Sequence, residues 1–150
     1  MQLDDAATIL ADAEFFEICN EEQRRLLAFA SERKRHSPGA VIYRAGDVPE
    51  GAHVLVSGTV TTTTEVENVV PYVTGQRGAV LGAMSLIVAK PRPVTVKAVD
   101  IVETLYVPRS AFLKLANQFP DLAQRAADRI RKDMSGYVGA MEKIKPRMGG

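Results

Sequence analysis

The hydrophobic period of this chain changes twice, and that double change limits the folds open to it. From Ser37 to Val107, short β-branched runs (AVIYR, AHVLV, TVTTTTEV, VVPYVT, AVL, VTVKAV and IVETLYV) alternate with turn residues. Gly39, Gly46, Gly51, Gly58, Gly75 and Gly78 punctuate them. This spacing predicts seven or eight short strands, and so many strands pack as a sandwich or barrel of jelly-roll type. On either side the period is helical. Asn20 followed three residues later by Gln23 predicts a capping box opening EEQRRLLAFASERK, in which Leu26, Leu27 and Ala30 share a face. After Pro108, RSAFLKLANQF reads as one helix, and Pro120 with Asp121 suits the first turn of another running to about Ile144.

The expected fold class is α+β, mainly β: a double-stranded β-helix jelly roll flanked by helices at both ends. One domain covers residues 1–145, with helices over 5–35, the roll over 36–108 and two helices over 109–145; residues 146–150 read as a frayed tail. The last helix carries Ala123, Ala126, Ile130, Met134, Tyr137, Met141 and Ile144 close to heptad spacing, which predicts a homodimer seam. A helix packed on its own roll would use a similar stripe.

Composition removes several function classes. Lys and Arg total 19 against 18 Asp and Glu, a balance that does not suggest a dedicated nucleic-acid binder, since phosphate-dominated binding needs a concentrated basic surface. The run Arg33-Lys34-Arg35-His36 reads as a solvated face. No apolar run is long enough to span a membrane, and the acidic N-terminus does not resemble a secretory signal, so no membrane partner is expected. Cys19 is the single cysteine; it can form no internal disulfide, which points to the cytoplasm, and its apolar neighbours Phe15, Phe16 and Ile18 suit a buried, inert thiol. Only His36 and His53 are present, without ligand spacing, so neither a metal site nor a nucleophile with its base is expected, and the chain reads as a non-enzyme.

The informative stretch is VLGAMSLIVAKPRPVTVKA, residues 80–98. Gly82 ends a strand and opens AMSLI, a single helical turn whose free backbone N–H groups suit an anion. Glycine there allows close approach of a ligand. Arg92 stands between two prolines at the head of the next strand, where a guanidinium can fork onto two phosphate oxygens.

This stretch resembles the phosphate-binding cassette of the cyclic nucleotide-binding domain family. Gly82, Leu86, Pro91, Arg92, Thr95, Val96 and Ala98 fall on the family pattern without a gap. Upstream, SPGAVIYRAGDVPEGAHVLVSGTV matches its first strands through Gly39, Gly46-Asp47, Glu50 and Gly58, and VPRSAF resembles its entry into the first C-terminal helix. The resemblance implies a cyclic nucleotide (cyclic AMP or cyclic GMP) as ligand, held by Gly82, Ala83, Met84, Ser85, Arg92, Pro93, Val94 and Thr95. It departs twice. Ala83 occupies the position of the glutamate that takes the ribose 2′-hydroxyl, a bond worth roughly 1.5–3 kcal/mol. Pro93 removes one backbone donor to the phosphate.

The expected function is a stand-alone regulatory domain that binds a cyclic nucleotide weakly and signals to an unidentified protein partner by moving its C-terminal helices. In the family's transcription-factor branch a helix-turn-helix follows. The chain stops before one could fit, so no DNA partner is expected. The alternative reading is a roll that has lost binding and serves as a dimerising or partner-docking module.

Overall fold

The computed structural model describes residues 3–64 and 72–132. Helix α1 (Leu3–Asp12) leads through a 3-10 turn (Glu14–Ile18) into α2 (Glu21–Phe29). Eight strands follow: β1 (Glu32–His36), β2 (Val41–Tyr43), β3 (Gly51–Ser57), β4 (Val60–Thr64), β5 (Tyr72–Thr74), β6 (Val80–Leu81), β7 (Val94–Ala98) and β8 (Val102–Pro108). A second 3-10 turn (Ala83–Leu86) lies between β6 and β7. Helix α3 (Arg109–Gln118) closes the roll, and a further helix, α4, covers residues 120–132. The strands form two four-stranded antiparallel sheets in the orders β1-β8-β3-β6 and β2-β7-β4-β5. This is the jelly roll with flanking helices that the double change of period predicts.

The capping box is present as expected: Asn20 Oδ1 accepts from the Gln23 amide at 2.8 Å, and Gln23 Oε1 accepts from the Asn20 amide at 2.9 Å. The helix it opens is shorter than the sequence suggests. It ends at Phe29, and the residues expected to continue it to 35 form β1 instead, paired antiparallel with β8 from Glu32↔Tyr106 to His36↔Val102. ERKRH has no helix breaker and no β-branched residue, so its local preference is helical. The free edge of β8 overrides that preference by offering a complete ladder of backbone partners. This pairing splits the basic run. Arg33 and Arg35 are exposed, Arg33 pairing with Glu103, whereas Lys34 and His36 are half-buried.

Strand alternation sorts the side chains into two cores. Ala52, Val54 and Val56 of β3 with Leu105 and Val107 of β8 pack outward against Leu10, Phe16, Leu27, Phe112 and Leu122 of the helices. Leu55 of β3 and Val102 of β8 turn inward to meet Tyr43, Val60, Val96 and Ala98. Gly51 lets β3 and β8 close up, since a Cβ there would lie 2.2 Å from the Val107 carbonyl oxygen. Cys19 is buried, and loss of water around it pushes its thiol up to about 11, in keeping with the inert role expected.

Candidate functional site

The cassette has the backbone its sequence calls for. Gly82 takes φ 79°, a left-handed conformation that side-chain-bearing residues adopt at a cost, and the turn Ala83–Leu86 starts directly after it. A Cβ on Gly82 would meet the Tyr43 hydroxyl at 2.9 Å. Tyr43 is buried, and its hydroxyl lies 2.8 Å from the Leu81 carbonyl and 3.0 Å from the Gly51 carbonyl. It thereby ties β2 to β3 and to the strand entering the cassette. Burial pushes the phenol far above its ordinary value, so it stays a donor.

The loop between β2 and β3 is stitched to the arginine end of the cassette. The Gly46 amide donates to the Arg92 carbonyl at 2.8 Å, and the Arg92 amide donates to the Asp47 carbonyl at 2.9 Å. The Ala45 amide donates to Thr95 Oγ1 at 2.9 Å. These bonds hold the Arg92 backbone while its guanidinium lies over the face of Tyr43, 4.9 Å from the ring centre. Arg92 Nε is buried and has no hydrogen-bond partner among the described residues.

Arg92 and Tyr43 line a cavity of about 280 Å³ together with Lys34, Gly51, His53 and Tyr106, with Arg44, Asp47 and Glu50 at its exposed rim. The rings form a continuous wall: Tyr43 and His53 are 5.3 Å apart between centres, and His53 and Tyr106 are 5.1 Å apart. Lys34 Nζ sits 4.5 Å from the centre of the Tyr106 ring. Thr104 Oγ1 lies 2.8 Å from His53 Nδ1 and 3.1 Å from His36 Nε2, so it bridges the two imidazoles. Burial, then the nearby charges of His36 and Lys34, lower the His53 pKa to about 3, and burial with Lys34 also lowers that of His36. The wall is thus neutral, and the charge facing the cavity belongs to Lys34, Arg92 and the rim.

A pH dependence follows. The native His53 pKa lies below the ordinary value near 6.5, so the unfolded chain binds the extra proton as pH falls from 6.5 towards 3. The stability that His53 contributes is therefore complete above pH 6.5 and is lost on acidification, at up to about 1.4 kcal/mol per pH unit. Thermal melts from pH 7 to pH 4 are expected to show this decline, and a shallower one in His53→Gln. Equal slopes would contradict the assignment.

The sequence-derived site residues divide by position. Arg92 reaches the cavity, and Gly82 touches its wall through Tyr43. Ala83 faces a separate hollow of about 330 Å³ between the roll, α1 and α4, beside Arg77, Gln76 and Arg129. Met84 packs against the helix-side core, and Ser85 is buried. Pro93 is exposed, Val94 is packed against the inner core, and Thr95 is engaged by the Ala45 amide. Lys34, Tyr43, His53 and Tyr106 were not singled out as site residues from sequence. The available signal was alternation: with ERKRH read as a strand, Lys34 falls opposite Thr104 and on one face with His36. Arg109, at the start of α3, was also missed. Its Nη1 donates to the Pro49 carbonyl at 2.8 Å and the Ser85 carbonyl at 3.1 Å, and its amide donates to the Glu50 carbonyl at 2.7 Å. One residue joins the cavity loop, the cassette and the C-terminal helices. Among the described residues no group of His, Cys, Asp or Glu could hold a metal ion, and no helix is long and apolar enough to cross a membrane.

Residues 33–119 match the family described as cyclic nucleotide-binding domain. The chain belongs to that family. The cyclic nucleotide-binding-like protein of Brucella abortus is 33% identical, with a TM-score of 0.64 over 76% of this chain and 99% of that one. The regulatory domain of Toxoplasma gondii PKA, solved with cAMP, shares the fold at 22% identity, with a TM-score of 0.67 over 85% of this chain and 50% of that one. Among curated proteins, lysophospholipase nte1 of Aspergillus fumigatus is 28% identical over 112 residues, which is 73% of this chain and 7% of that protein. The chain therefore spans only a small part of that curated relative. The family match spans the Gly82–Arg92 segment.

Proposed function

We propose that this cyclic nucleotide-binding domain is a regulatory module that takes a cyclic nucleotide or a closely related anion at Arg92 and passes occupancy to its C-terminal helices. The observation that carries this reading is Arg92 itself, a guanidinium facing a cavity with a buried Nε that lacks a partner among the described residues. An unsatisfied buried donor of this kind costs about 1–3 kcal/mol, which a phosphate oxygen would recover. Arg109 is the route outward, because a shift of the cavity loop or the cassette turn pulls directly on the start of α3. Signalling is then a population shift between two placements of the helices. A regulatory rather than catalytic role, and action in the cytoplasm, belong to the same reading.

The second reading, a roll that no longer binds nucleotide, is favoured by a specific observation: Ala83, which has no hydrogen-bonding side chain, lines the hollow beside Arg129 and not the Arg92 cavity. Calorimetric titration with cyclic AMP and cyclic GMP separates the two, in the native chain and in Arg92→Gln. Binding in the native chain that Arg92→Gln weakens by about 100-fold supports the first reading. Absence of binding in both proteins would leave the module as an interaction domain. The homodimer remains a proposal resting on the apolar spacing. Ala126 and Ile130 pack into their own chain's core and Ala123 is exposed, while Met134, Tyr137, Met141 and Ile144 lie outside the described residues. Light scattering tests it.

A further inference from the structure

The cavity has a cation at each end of its aromatic wall. Arg92 lies over Tyr43, Lys34 lies over Tyr106, and His53 stands between the two tyrosines. Both cations are half-buried, and neither forms an ion pair among the described residues. A cation held over a ring face is attracted by the ring without using its N–H donors. The three donors of Lys34 and the Nε of Arg92 are thus positioned but uncommitted. The acidic residues at the cavity, Asp47 and Glu50, are exposed at the rim and their charges are screened by water. The space is at the small end for ligand pockets, enough for a single ring with its substituents.

We propose that Lys34 and Arg92 grip opposite ends of one ligand, a small aryl molecule carrying two acidic groups, whose ring lies against the Tyr43–His53–Tyr106 wall. This rests on the reading of the Arg92 cavity as the ligand site and goes further by assigning Lys34 as a second ligand-binding residue. A cyclic mononucleotide has only its phosphate charge to offer, so Lys34 sets a preference for ligands with a second acidic group.

The test uses the full chain with terephthalate, benzoate and trans-cyclohexane-1,4-dicarboxylate as probes, measured by calorimetry with cyclic AMP and cyclic GMP titrated in parallel. Terephthalate is expected to bind about tenfold or more tighter than benzoate, the worth of one further charge-assisted contact. Lys34→Gln is expected to bring the two affinities together, and Arg92→Gln to weaken both; melting curves of each variant establish that it is folded. An unchanged terephthalate-to-benzoate ratio in Lys34→Gln overturns the proposal, as does absence of terephthalate binding at millimolar concentration. Equal binding of the cyclohexane diacid overturns the aryl assignment. A chain that binds cyclic AMP or cyclic GMP but not terephthalate removes this inference and keeps the cyclic nucleotide reading. Binding of none of the probes removes both.

Discussion

Arg92→Gln is expected to lower the affinity for cyclic AMP and cyclic GMP by about 100-fold while leaving the fold's stability within about 1 kcal/mol of the native chain. The first half follows from the chemistry of the contact. A bidentate guanidinium–phosphate pair comprises two charge-assisted hydrogen bonds, and a glutamine can replace neither the charge nor the fork. The second half follows from the arginine's present state. Its stacking on Tyr43 contributes about 0.5–2 kcal/mol, but its buried Nε has no partner among the described residues and carries a desolvation cost of similar size. The two nearly cancel when the side chain is changed. The backbone bonds of residue 92 to Gly46 and Asp47 do not depend on the side chain and survive. Calorimetry paired with chemical denaturation gives both numbers. An arginine whose replacement costs several kcal/mol of stability and no affinity would be a structural residue, and the ligand reading of the cavity would fall with it.

Tyr43→Ala is expected to have the largest effect on stability of any change in the cavity wall, about 3–5 kcal/mol, the range for truncating a large buried ring. Tyr43 is 5% exposed and packs into the inner core with Leu55, Val60, Val96 and Val102. Its loss also takes the hydroxyl from the Leu81 and Gly51 carbonyls and the ring from beneath the Arg92 guanidinium. Tyr43→Phe divides these contributions. It keeps the ring and the cation contact and removes only the shared donor, so a loss of about 1–3 kcal/mol is expected, with Arg92 still in place. Urea denaturation of the three proteins measures both steps. A phenylalanine variant as unstable as the alanine variant would mean that the hydroxyl, rather than the packed ring, holds β2 against the cassette.

Much of this molecule was legible in the order of its residues. The jelly roll followed from short β-branched runs between glycines, because such runs can bury their apolar faces only by stacking into two sheets. The box at Asn20 and the break before Pro120 were legible because capping depends on neighbours in the chain. Gly82 was readable as the end of a strand and the start of a helical turn, and the structure adds its left-handed backbone. What the tertiary structure alone decided is long-range. ERKRH became a strand because the edge of β8, some seventy residues away, supplied its ladder; that pairing turned Lys34 inward and exposed Arg33. Arg92 was visible as a phosphate-type cation, but its direction depended on Tyr43 of another strand and on the loop at Gly46 and Asp47. Local sequence encodes the conformations a segment prefers, whereas a cavity wall is assembled from single residues of β1, β2, β3 and β8 that meet only when the two sheets close.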